Sequence, residues 1–175
     1  MTVSGKLFGK GEKTVWLWLS LLIFLLDQGS KYLADEYLTY MQAVELLQVF
    51  DLTLVYNSGA AFSFLADAGG WQRWLFSGLA LIVSLVLLLW IRRLDSTERL
   101  MAIALALILG GATGNLFDRI TLGYVIDFIS LHYQNHYFPS FNIADSAISL
   151  GAAVLVLDML KPTEKPLKPK ENKLK

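Results

Sequence analysis

The sequence contains no cysteine. Disulfide scaffolds, thiolate zinc sites, cysteine nucleophiles and cysteine-borne lipid anchors are all excluded at once. Charge is also sparse: 17% of the 175 residues are Asp, Glu, Lys or Arg, where a soluble domain carries about 25%. The formal net charge is zero, which leaves no basic footprint for nucleic acid. Neither H-E-x-x-H nor G-x-S-x-G occurs, so the helical zinc-protease and nucleophile-elbow signatures are missing. His132 and His136 stand four apart but enclose no glutamate. They read as exposed loop residues near an aromatic interface. No internal repeat is visible.

Apolar residues, by contrast, make up 55% of the chain. A water-soluble domain of this size has too little interior to hide them. The composition indicates an integral membrane protein built as one unit. Four apolar segments follow one another, at residues 15–26, 74–91, 100–117 and 143–160. A hydrocarbon core about 30 Å thick needs about 20 helical residues. The second segment nearly meets that alone; the others reach it only by taking polar residues into or beside the membrane. Lys6, Lys10 and Lys13 before the first segment imitate a signal peptide. No A-x-A-like cleavage site follows, so this helix is expected to be retained.

The basic residues are sorted along the chain. Twelve of the 15 lie before the first segment, between the second and third (Arg92, Arg93, Arg99), or after the fourth. Residues 32–72 hold none, against five acids. Cytoplasmic loops collect Lys and Arg. The expected fold is therefore mainly α, with four transmembrane helices, both termini cytoplasmic, and a small extracytoplasmic β-cradle. Residues 1–14 form a basic cytoplasmic N-terminus, 15–160 a single four-helix membrane domain with the cradle at 34–70, and 161–175 a basic disordered tail. Within the cradle, residues 46–56 read as one strand, 60–64 as its hairpin return after Asn57-Ser58-Gly59, and 124–130 as a further short strand. Trp71 and Trp74, after the Gly69-Gly70 break, look like interface aromatics.

In this topology three helices bring polar ends to the outer side. The first contributes Asp27 and Lys31, the third Asn115, Asp118 and Arg119, the fourth Asn142 and Asp145. Gly111, Gly114, Asn115 and Asp118 share one helical face, and the glycines suit close helix packing. Asp118 and Arg119 suit an interfacial ion pair or a grip on loop backbone. Asp27 and Lys31, four apart, suit an intrahelical ion pair, and Asn142 suits a helix cap. Asp127 and Asp145 have no basic neighbour in sequence and sit among apolar residues. Two such carboxylates suit an aspartic-protease pair, one ionised to activate water and one protonated to bond the scissile carbonyl. Proton relays and helix caps use the same residue types, so spacing alone leaves these readings open.

Five motifs then occur in order: Asp27-Gln28-Gly29-Ser30-Lys31, Tyr56-Asn57-Ser58-Gly59-Ala60-Ala61-Phe62, the run from Gly110-Gly111 through Gly114-Asn115 to Asp118-Arg119, Val125-Ile126-Asp127-Phe128, and Phe141-Asn142-Ile143-Ala144-Asp145-Ser146. With them the chain closely resembles the bacterial lipoprotein signal peptidases (signal peptidase II) over residues 15–160. The resemblance implies a cofactor-independent, metal-free aspartic endopeptidase, multi-pass in the bacterial inner membrane, with its active site facing the periplasm. It implies cleavage of diacylglyceryl-modified prolipoproteins just before the lipidated cysteine, and inhibition by globomycin. Asp127 and Asp145 would be the dyad. Asn57, Gly59, Asn115, Arg119 and Asn142 would bind or orient substrate, with Asp27, Lys31 and Asp118 in support. Prolipoprotein and membrane lipid are the expected partners, nucleic acid is not, and a monomer is expected. A proton-coupled transporter would instead need repeats and a polar path to the inner side. A non-enzymatic assembly factor would not need the convergent outer cluster.

Overall fold

The computed structural model describes residues 11–59 and 69–161. The return strand expected at 60–64 and the tail expected after 161 lie outside those residues. The elements run α1 (Gly11–Tyr37), β1 (Ala43–Leu47), β2 (Phe50–Asn57), α2 (Trp71–Arg93), α3 (Arg99–Thr121), β3 (Val125–Tyr133), β4 (His136–Tyr137) and α4 (Ile143–Met159). Both strand pairs therefore follow the C-terminal ends of α1 and α3 and precede the N-terminal ends of α2 and α4.

Each apolar segment seeds a helix. At 1.5 Å per residue the 23 residues of α2 and of α3 span about 35 Å, enough for a hydrocarbon core of about 30 Å. Both are apolar enough to cross a membrane. Outward, α2 shows Leu75, Leu79, Ile82, Leu85, Val86 and Leu89, a contiguous apolar surface of a kind that soluble monomers rarely expose. Its buried face is a narrow stripe of Ser77, Ser84, Leu87 and Ile91, and Leu87 and Ile91 meet Ala102, Leu105 and Leu109 of α3.

The bundle is organised around α3, which packs against all three other helices. Small residues make this possible. A Cβ at Gly110 would lie 2.7 Å from the Ser20 carbonyl oxygen of α1, and one at Gly111 would run into the Ala144 carbonyl of α4. Ser20 Oγ donates to Ala106 O at 2.9 Å, so a hydroxyl reinforces the α1–α3 contact.

The four strands form one antiparallel sheet in the order β1-β2-β3-β4. The strand expected over 46–56 is in fact two, broken by a turn at Gln48 and Val49. The hairpin closes back onto β1, and the other neighbour of β2 is β3. Also, α1 continues to Tyr37, so the sheet begins at 43 rather than near 34. The strand expected over 124–130 is present as β3. Its even side chains Ile126 and Phe128 pack with Ala34 and Leu54 against the end of α1. Its odd side chains Val125, Asp127 and Leu131 line a cavity on the opposite face.

A β-bulge decides which residues of β2 share that cavity face. Leu52 pairs with Ile129, but Val55 pairs with Asp127 and Asn57 with Val125. One extra residue between them shifts the register and reverses side-chain alternation. Without it Asn57 would point to the α1 side of the sheet. With it Asn57 stands diagonally beside Asp127.

Candidate active site

The site is assembled where β3, α3 and the start of α4 meet. Asn142 caps α4: its Oδ1 accepts from the Asp145 backbone N–H at 2.9 Å. Its Nδ2 donates to Asp127 Oδ1 at 2.7 Å. Asn57 Nδ2 donates to Asp127 Oδ2 at 3.0 Å, and its own oxygen is held by the Gly59 N–H at 3.0 Å. Asn115 Nδ2 donates to Asp145 Oδ1 at 2.7 Å, while Asn115 Oδ1 accepts from Lys31 Nζ at 2.9 Å. An ammonium can only donate. Lys31 therefore obliges Asn115 to turn its oxygen inward and its NH2 toward Asp145.

Asp127 is only 2% exposed. Burial above all, and then the nearby charge of Asp145, push its carboxyl up from the ordinary 3.8 to about 7, against the pull of the Asn57 and Asn142 donors. Two carboxyl groups of unlike environment thus face one cavity of about 590 Å³, within the usual range for small-ligand sites. Asn57, Asn115 and Arg119 complete its polar end. Leu131, Phe138, Phe141 and Ile148 form an apolar wall.

Behind the cavity lies a buried charge network. Lys31 Nζ is 2.7 Å from both Asp27 Oδ2 and Asp118 Oδ2, and all three side chains are at most 2% exposed. Two carboxylates on one ammonium leave a negative excess. Gln28 Nε2 meets it, donating to Asp118 Oδ1 at 2.8 Å and Asp27 Oδ2 at 3.1 Å. Asp27 Oδ1 accepts from the Ala144 N–H at 2.8 Å, at the positive end of α4. A Cβ on Gly114 would stand 2.5 Å from Asp27 Oδ2; only glycine admits the carboxylate there. Asp118 does not pair with Arg119, one of the two roles the sequence suggested, because Lys31 is its partner. Arg119 instead grips backbone, Nη2 donating to Gly59 O at 3.1 Å and Nη1 to Asn115 O at 3.3 Å.

Of the residues expected from the sequence, Asn57, Asn115, Arg119, Asp127 and Asp145 line the cavity. Asn142, Lys31, Asp27 and Asp118 stand behind it, and Gly59 takes part through its backbone. The chain matches the family model of signal peptidase (SPase) II over residues 19–161. It belongs to the signal peptidase II family. It is 57% identical to the lipoprotein signal peptidase of Pseudomonas putida over 155 residues, covering 87% of this chain and 91% of that one. With the lipoprotein signal peptidase of Pseudomonas aeruginosa it shares 56% identity over 148 residues, 83% of this chain and 88% of that one. A solved structure described as a bacterial membrane enzyme superposes with a TM-score of 0.77 at 26% identity, covering 92% of this chain and 97% of the other. A second with the same description gives 0.74, over 89% and 97%. As a signal peptidase II, the chain is a membrane peptidase.

Some of what surrounds the site was not singled out from the sequence. Gln28 is one; its position inside the Asp27–Lys31 motif was the available signal. The sequence names His132, but as an exposed loop residue, and the structure corrects that expectation. It lies on β3 with its Nε2 3.1 Å from Asp51 Oδ2, the ring stacked on Tyr137. The two partners are far apart in sequence and meet only through the β2–β3 register.

Proposed function

We propose that this signal peptidase II removes the signal peptide from diacylglyceryl-modified prolipoproteins, cutting the bond before the lipidated cysteine, with Asp127 and Asp145 as its catalytic pair. The observation that carries the mechanism is the convergence of those two carboxyl groups on one cavity, each oriented by asparagine NH2 groups. The names of the relatives support the lipoprotein substrate.

Like charges held together do not both ionise cheaply, so the pair shares a proton. The protonated member of the pair bonds the scissile carbonyl oxygen, and the ionised member is the general base that takes a proton from the attacking water. The first gives its proton as the tetrahedral intermediate forms, and the dyad returns one to the departing amine. Asn57, Asn142 and Asn115 hold the carboxyl planes. Arg119 and Gly59 orient the substrate strand at the cavity mouth. Asp27, Lys31 and Asp118 keep the frame in place. The apolar wall receives acyl chain or signal helix entering sideways from the membrane.

All four helices cross the bacterial inner membrane in this reading, with both termini cytoplasmic and the sheet and cavity on the periplasmic side. That side is where the acyl chains of a lipidated substrate hold its scissile bond. The enzyme works as a monomer with neither metal nor cofactor, and globomycin-type cyclic peptides block the cavity. The test uses purified protein in detergent and two synthetic precursors differing only in the diacylglyceryl group on cysteine. Cleavage confined to the lipidated peptide, at the bond before its cysteine, is expected. Equal cleavage of both, or cutting elsewhere, rejects the assignment.

A further inference from the structure

Lys31, Arg73 and Arg119 are the basic residues outside the three basic clusters of the chain. Lys31 and Arg119 are engaged in and around the cavity. Arg73, on the first turn of α2, does not line the cavity or join the buried charge network, yet its guanidinium bridges two backbone carbonyls. Its Nε donates to Arg119 O at 2.7 Å and its Nη2 to Ile120 O at 2.6 Å. The group also lies 4.8 Å from the centre of the Trp74 ring.

Those two carbonyls belong to the last turn of α3, where a helix has no acceptors' partners of its own and where its dipole favours a cation. The neighbouring Asp118 carbonyl is closed locally by Leu122 N at 2.7 Å and Gly123 N at 3.2 Å. Arg73 closes the next two from a different helix. The chain then turns at Gly123, with φ of 93°, and a Cβ there would stand 3.3 Å from Arg73 Nη1. Two residues later β3 begins and carries Asp127. At the same point the Arg119 side chain leaves for Gly59. One guanidinium from α2 thus holds the joint from which both site elements depart.

We propose that Arg73 is a positioning residue for the peptidase reaction, acting by fixing the end of α3 so that Arg119 meets Gly59 and β3 presents Asp127. A planar, two-pronged donor suits two successive carbonyls; a lysine ammonium offers one point charge. The inference rests on the roles given to Arg119 and Asp127 under Proposed function.

The test is a double-mutant cycle on kcat/KM for a lipidated precursor, with rates normalised to folded protein. Arg73→Gln should lower kcat/KM toward the roughly 100-fold that a 1 Å misplacement costs, and Arg73→Lys should recover part of it. Arg119→Lys should be impaired by itself. Combining Arg73→Gln with Arg119→Lys should cost less than the product of the two separate losses, because both weaken the one Arg119–Gly59 contact. Multiplying losses would overturn the proposal, as would an Arg73→Gln protein that melts earlier but cleaves normally per folded molecule. If Arg73→Gln does not accumulate, the cycle is run with Arg73→Lys and the same outcomes decide. An unimpaired Arg119→Lys would reject the role of Arg119 itself, a failure separable from that of Arg73.

Discussion

At the scale of single residues, the buried charges make the sharpest stability predictions. Lys31→Met leaves Asp27 and Asp118 facing each other without their cation, and breaking a buried pair costs about 3–5 kcal/mol. Thermal unfolding in detergent should show a loss of that order. A loss within about 1 kcal/mol, the value of an exposed pair, would mean that the network is hydrated. Asp127 carries the opposite sign. Its folded pKa of about 7 lies above an unfolded value of about 3.9. Its contribution to stability is therefore complete below about pH 4 and lost as pH rises to about 7. The melting temperature of Asp127→Asn relative to the unmodified chain should climb across that window and level off above it; a difference flat from pH 4 to 8 contradicts the raised pKa. The sequence made Asp127 and Asp145 conspicuous because neither has a basic neighbour. It could not show their asparagine partners, since Asn57, Asn115 and Asn142 come from three separate elements.

Among elements, helices were legible and strands only partly so. Long apolar runs of this length favour helices over strands, so all four segments announced themselves as helices. Their ends did not. α1 continues through Asp27 and Lys31 to Tyr37 because those charges are neutralised inside the bundle rather than marking its edge. Residues 46–56 hid a turn because Gln48 and Val49 are not turn formers by type, and the bulge in β2 leaves no mark in composition. The packing of α3 on α4 can be tested where space is smallest. Gly111→Ala drives a methyl into the Ala144 carbonyl, one residue from Asp145, and overpacking of this kind costs about 1–3 kcal/mol. It should lower both melting temperature and cleavage rate. Gly29→Ala, with nothing within 4 Å of the added carbon, is the control and should be neutral or stabilise by about 0.5–1 kcal/mol. Equal effects of the two would remove the close-approach argument.

At the scale of the whole molecule, the sorting of Lys and Arg predicts orientation. Reporter fusions after Lys10, within residues 94–98 and after Lys161 should read cytoplasmic, and one near Asp67 should read periplasmic. A periplasmic C-terminus would invert the proposed placement of the site. Chelation should leave activity intact, since the described residues include no group of three His, Asp or Glu side chains able to hold a metal. Loss of activity with EDTA, restored by zinc, would contradict that chemistry. The central claim is that Asp127 and Asp145 act together as the catalytic pair, and it is met most directly by purified Asp127→Asn and Asp145→Asn proteins on a lipidated precursor. Each keeps size and most hydrogen bonding while losing its ionisable group. Each should fold, should still bind globomycin, and should cleave roughly 10²–10⁴-fold more slowly. A folded variant of either kind that processed the precursor at a near-normal rate would contradict the account.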